Sequence, residues 1–170
     1  MKGQFLPDGI YLTCSDLKSR HPFYVIDSSD KFKFKFPAGS HNIKITSIDK
    51  NNKKIKTVRF FYTGSIFAYC YKGRLYRYFA SDKWSIEDDY YLVEDTSYLV
   101  IYSHREGIGR YGMSTKNYYF SINMCSDIYP LKKKYLQKVL SAEDYKKIES
   151  LKEVEKREAN GVFLINQSLK

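Results

Sequence analysis

At 170 residues and 20.1 kDa the chain has the size of one ordinary domain, and an apolar content of 43% excludes global disorder. No apolar run approaches the roughly 20 residues that a membrane-spanning helix needs. Lys and Arg number 29 against 19 Asp and Glu, a formal charge of +10, and residues 1–60 concentrate the excess with 12 basic and 5 acidic groups.

In chain order, Gly9–Thr13 reads as a short strand. Ser15 and Asp16 begin a helical turn that Pro22 must end, because proline disfavours helix at the residue before it. Phe23–Ile26 is a second candidate strand. Lys31–Phe36 alternates strictly, with Phe32, Phe34 and Phe36 toward one face and Lys31, Lys33 and Lys35 toward the other, the pattern of a half-buried strand. Pro37–Ser40 breaks it. His41–Ile48 and Lys54–Phe61 form a hairpin across Asp49–Lys53, since Asn and Asp tolerate turn dihedrals.

Ser65–Tyr71 and Arg74–Phe79 form a second hairpin around Lys72 and Gly73. A two-residue turn fixes the register, placing Tyr71 opposite Arg74, Tyr69 opposite Tyr76 and Phe67 opposite Tyr78. One face then carries an aromatic ladder. The other carries Ile66, Ala68, Cys70, Leu75, Phe79 and one charge, Arg77, expected as a buried structural cation. Such a ladder suits a sugar platform or an ordinary sheet core, and the core is the commoner outcome. Tyr90–Val93 and Tyr98–Ser103 make a third hairpin across Glu94–Ser97, and Asn117–Asn123 is read as the last strand.

After Pro130 the apolar period becomes helical. Leu131–Leu140 is one predicted helix. A second runs over 142–159, opened by a capping-box-like Ser141 and Asp144. Gly161 ends or interrupts it, and Val162–Ile165 returns to the core or packs on a neighbour. The fold class is therefore a β-rich α+β domain spanning 1–170. It has a mainly antiparallel sheet or open barrel over 9–123 and two C-terminal helices within 131–159.

Chemistry is sparse. Gly107–Gly112 matches G-x-G-x-x-G, but a dinucleotide site needs a helix immediately after it, and Met113–Phe120 reads instead as an approach to strand. It is a hairpin loop. Cys14, Cys70 and Cys125 show no metal-ligand spacing, and three buried thiols is the favoured expectation, with one disulfide and one free thiol the alternative in an oxidising compartment. Glu87–Asp89 is an acidic turn without the spacing of a calcium loop. No catalytic residue, metal or cofactor is assigned.

The candidate binding residues are Lys31, Lys33 and Lys35, together with His104 and Arg105 at a strand end and Arg110 in the glycine-rich loop. The lysines suit protection of a sheet edge, since no aromatic is interleaved on their own strand face. The leading functional expectation is a non-catalytic module with a binding or structural role. The competing ones are a hydrolase using the His104 loop and a basic domain that binds anionic polymers. Lys outnumbers Arg by 22 to 7, so sequence-specific nucleic-acid reading, which uses the Arg fork, is not expected.

Three stretches carry a resemblance: Asp8–Leu17, Leu75–Phe79 and Tyr118–Ser121, the last succeeded by Ile128–Leu131 and Lys134–Leu136. The chain is similar to an uncharacterised family of exported periplasmic or envelope bacterial proteins. Their "GIYLT" opening comes after a cleaved leader and leads into a β-rich body, a "YYFS" strand and a C-terminal helix. Leu17 stands where that pattern has an aromatic, and Tyr135 where it has Asn. The resemblance implies export to the cell envelope and no activity; the partner, read separately, is an anionic polymer or another envelope protein.

Overall fold

The structure is a computed structural model that describes residues 6–35, 42–49, 51, 54–79, 89–108, 113–149, 151 and 159–170. Eleven strands and four α-helices are described. The strands are β1 (Gly9–Tyr11), β2 (Tyr24–Val25), β3 (Lys31–Lys35), β4 (Asn42–Ile48), β5 (Ile55–Tyr62), β6 (Ala68–Tyr71), β7 (Arg74–Phe79), β8 (Asp89–Asp95), β9 (Val100–Ile108), β10 (Met113–Ser121) and β11 (Tyr129–Pro130). The helices are α1 (Cys14–Ser19), α2 (Lys133–Val139), α3 (Ala142–Ile148) and α4 (Ala159–Ser168). Eight strands belong to a large antiparallel sheet and three to a small one, and the large sheet is not closed into a barrel. The chain divides into two compact units, Met1–Tyr90 and Tyr91–Lys170.

The first unit holds the run β7-β6-β1-β2 and the small sheet β3-β4-β5. Its β6–β7 hairpin has the predicted register, with Tyr69 opposite Tyr76 and Ala68 opposite Arg77. Lys72 and Gly73 both adopt positive φ, 53° and 69°, as the two-residue turn requires. Asp8 holds this turn from a distance. Its carboxylate accepts the amides of Lys72 at 2.6 Å and Gly73 at 3.0 Å.

The aromatic ladder is core. Tyr69 is buried and stacks on Tyr76 at 4.7 Å, while Phe32 meets Tyr69 at 5.0 Å. Ile10, Ile26, Ile43, Ile45 and Ile66 complete the cluster. The first helix is set by Thr13, whose hydroxyl accepts the Asp16 amide while Asp16 accepts the Thr13 amide, a reciprocal cap two residues earlier than the predicted start.

The second unit holds the run β11-β10-β9-β8 and the helices α2, α3 and α4. Its core gathers Leu99, Ile101 and Phe120 from the β-rich part with Leu136, Ile148 and Ile165 from the three helices. Three sequence expectations change here. The strand ending at Ser103 runs on to Ile108, and the strand expected from Asn117 begins at Met113, so His104 and Arg105 lie inside a strand rather than in a loop. A polar run on a two-stranded ladder still satisfies its backbone, whatever its side chains. The helix expected over 142–159 ends at Ile148, and a separate helix carries Gly161 and the segment left open after it. Ile165 on this helix and Leu169 just beyond its end are buried.

Cys70 is a buried free thiol, in keeping with the expectation for it. Burial, and then the Asp8 carboxylate beside it, push the Cys70 thiol up to about 12. The thiolate is the reactive form. Cys70 is therefore expected not to react with an aromatic disulfide reagent in native protein at pH 8 and to react once the protein is denatured. Prompt reaction of Cys70 in the native protein would contradict its burial.

Candidate functional site

The small sheet places a basic and aromatic surface toward solvent. In an antiparallel pair, residues directly opposite one another share a face. Lys33 lies opposite Lys44, and Lys44 opposite Phe60; in the next row Lys31 lies opposite Thr46, and Thr46 opposite Val58. The backbone register continues with Lys35 opposite Asn42 and Asn42 opposite Tyr62. On the reverse face Ile43 and Ile45 are buried at 0% and 1% exposure, beside Phe32 and Phe61 in the core. The first face is left to solvent, with Lys31 and Lys33 exposed and Phe60 and Tyr62 exposed at 59% and 60%.

Rows along a strand repeat about every 7 Å and neighbouring strands lie about 4.8 Å apart, so lysine and aromatic columns run in parallel about 10 Å apart. Between them the Lys44 ammonium sits 5.8 Å from the Phe60 ring centroid, a cation–π contact. The described sequences of β3, β4 and β5 contain no Asp or Glu. Nothing on these strands offsets the positive field, and six basic residues lie on them: Lys31, Lys33, Lys35, Lys44, Lys56 and Arg59.

Both β3 and β5 are edge strands of this sheet. The edge position expected for Lys31, Lys33 and Lys35 is thus observed. On β3 itself no aromatic is interleaved with the lysines, as expected, but β5 supplies Phe60 and Tyr62 on the same sheet face. Sequence reading missed this because Phe60-Phe61-Tyr62 is three aromatics in succession. Only the pairing of Phe61 with buried Ile43 shows which of them faces inward.

The other candidates do not join this face. His104 is 9% exposed, lies opposite Asn117, and stacks on Tyr91 at 4.6 Å, with Tyr91 edge-on to Tyr119 at 4.7 Å. Arg105, opposite Lys116, is exposed on the other face of β9. There Glu94 takes a hydrogen bond from Ser103 at 2.6 Å and pairs with Lys116 at 2.7 Å. Burial alone lowers the Lys116 pKa, yet hydrogen bonds to Glu94 and Tyr118 outweigh it and hold the ammonium above its ordinary value. Glu94 and the imidazole therefore lie on opposite faces of β9, and His104 sits within a strand rather than in the loop on which a His104 hydrolase rested.

Arg77 is buried at 7% exposure with its guanidinium 5.0 Å from the Phe67 ring, in keeping with a structural charge. Arg110 and the acidic pair Glu87 and Asp88 lie outside the described residues. Among the described residues no group of three His, Cys, Asp or Glu is placed to hold a metal ion, and no helix is long and apolar enough to cross a membrane. Compared with known proteins, the chain matches no family model, no curated protein and no solved structure.

Proposed function

We propose that the chain is a non-catalytic, exported binding module whose β3–β4–β5 face takes an anionic polymer. The observation that supports this most is the combination on one solvent face of lysines in register with exposed Phe60 and Tyr62, on strands free of carboxylates. Lysines supply long-range attraction and release counterions on binding, while aromatic rings give short-range stacking surface for rings of the polymer. Solvation alone accounts for lysines on a sheet face. It does not account for two aromatics more than half exposed beside them, because such area is ordinarily withdrawn from water. Export is what the resemblance carried by Asp8–Leu17 and Tyr118–Ser121 implies.

The test uses heparin as a polyanion without bases. Wild type is expected to be retained at low salt and to elute with modest salt. Lys33→Ser with Lys44→Ser should shift elution to lower salt and flatten the dependence of affinity on salt by about two ionic contacts. Phe60→Ser with Tyr62→Ser should weaken binding by about tenfold or more while leaving the salt slope unchanged. If only the lysine variant has an effect, the face is an electrostatic surface alone and the aromatic part of the reading fails. If neither variant changes retention, the face is not the site.

A further inference from the structure

A second site lies on the other side of the small sheet. The turn after β2 and the β4–β5 hairpin line an open cleft of about 640 Å³, whose polar lining includes Asp27, Asp30, Asp49, Lys56 and Arg59. This volume falls within the roughly 300–1,000 Å³ typical of small-molecule sites. We propose that this cleft binds a small zwitterion, a ligand carrying an ammonium and a carboxylate such as a short peptide, with Asp30 and Asp49 receiving the ammonium and Arg59 and Lys56 the carboxylate.

Asp30 is the fixed point of the cleft. Its side chain is buried, at 8% exposure, and forms part of the lining. One carboxylate oxygen, Oδ2, accepts the Asp27 amide at 3.1 Å, and Asp30 returns its own amide to the Asp27 carbonyl at 2.9 Å. The two bonds lock the turn and fix the orientation of the carboxylate. Its Oδ1 receives no hydrogen bond from the described residues. That oxygen is open to the cleft, so an ammonium there would meet a carboxylate whose orientation the turn has already set.

The neighbouring carboxylates divide by how fully they are used. Asp27 Oδ1 already accepts the Ser29 amide and hydroxyl, each at 2.9 Å, and holds the turn rather than a ligand. Asp49 spends Oδ1 on the Asn51 amide at 2.9 Å and has Oδ2 to offer. Two acceptors therefore remain for one ammonium, which has three donors to place.

The opposite charge is also present and also unspent. Arg59 is held over the Tyr24 ring at 5.2 Å, which orients its guanidinium beside the cleft while leaving its donors unused. Among the described residues no ion pair joins Arg59 or Lys56 to Asp30 or Asp49. A lone cation would leave the basic wall unmatched, and a lone anion would meet three carboxylates. A neutral polyol would neutralise neither set. A zwitterion satisfies both, and this chemistry differs from the polyanion proposed for the outer face.

The experiment is an amide NMR titration of the whole chain at pH 7 with three probes: glycylglycine, its N-acetylated form, which lacks the ammonium, and its C-terminal amide, which lacks the carboxylate. Saturable shifts at Asp27–Asp30 and Ile48–Arg59 are expected with glycylglycine, with each blocked form about tenfold or more weaker, because each loses charge-assisted hydrogen bonds. Asp30→Asn should weaken glycylglycine by a similar factor. Arg59→Gln, at an exposed position that no turn depends on, should do so without risk to the fold. Equal binding of the amide form would overturn the zwitterion and leave a cation site. No saturable shift with any probe up to about 10 mM, far weaker than paired charges in a formed cleft should give, would overturn the site. Heparin retention of Arg59→Gln separates the two proposals, since loss of the cleft ligand with heparin binding largely kept leaves the outer face standing.

Discussion

Phe120→Ala is expected to lower the stability of the second unit by about 3–5 kcal/mol, the range for deleting a buried aromatic side chain. Phe120 is fully buried and lies opposite Ile101 on β9 and Tyr129 on β11. Its ring approaches that of Tyr129 at 5.9 Å, and it belongs to the cluster into which Leu136, Ile148 and Ile165 bring the three helices. Removing it empties space at the point where strands and helices meet, and short helices of seven to ten residues hold their shape mainly through such packing. Urea unfolding followed by circular dichroism measures the loss, and amide exchange over β9 and β10 locates it. Ile122→Ala, two residues along and 50% exposed, is the control and should change stability by about 0.5 kcal/mol or less. A Phe120→Ala loss near that of the control would mean that the surrounding core closes over the gap and that Phe120 is not its centre.

The sequence made some of this architecture legible and hid the rest for identifiable reasons. The β6–β7 hairpin could be read pair by pair because Lys72 and Gly73 leave a two-residue turn, and such a turn permits one register. The buried charge at Arg77 followed from that register. The β9–β10 hairpin could not be read in the same way. His104-Arg105-Glu106 is polar on both faces, and Gly107 comes next, so neither period nor propensity marks the strand. Its length comes from the ladder with Met113–Ser121, a tertiary fact. The final helix was hidden because Val162–Ile165 is a four-residue apolar run, which periodicity cannot assign to helix or strand.

The binding face was half legible. The alternation over Lys31–Lys35 gave the lysine column and its solvent face from local sequence alone. The aromatic column lies two strands away, and its facing depends on which β5 residue meets Ile43. The cleft was not legible at all. It joins a turn at Asp27–Asp30 to a hairpin end at Ser47–Arg59, and no local pattern relates segments so far apart in the chain. Its clearest sign, a buried carboxylate with one unused oxygen, exists only once the chain is folded.

Asn166→Leu is the substitution expected to show how the second unit secures the start of its long hairpin. Asn166 is 1% exposed on α4, and its side chain serves three partners. Its carbonyl accepts the Leu99 amide at 2.8 Å, and its amide group donates to the Leu99 carbonyl at 2.9 Å and to Asp95 at 2.8 Å. Leu99 precedes β9 and is buried, so the Asn side chain stands in for the neighbouring strand that would otherwise pair with its backbone. Leucine keeps the volume and supplies no hydrogen bond. Two buried backbone groups are then left unpaired, at about 1–3 kcal/mol each, so a total loss of about 2–5 kcal/mol is expected. The pH dependence gives a second reading of the same site. Burial alone raises the Asp95 pKa, but hydrogen bonds from Asn166 and Ser97 outweigh it and hold the carboxyl below its ordinary 3.8. A folded pKa below the unfolded one adds stability that is present above pH ~4 and lost as pH falls through the folded value. Asn166→Leu removes one of the donors responsible, so the gap between wild type and variant should be widest above pH ~4 and narrow toward pH ~2. Urea midpoints measured across that range test both parts. A gap independent of pH would assign the whole loss to Leu99 and none to Asp95, and a loss under about 1 kcal/mol at pH 7 would show that the Leu99 backbone finds other partners.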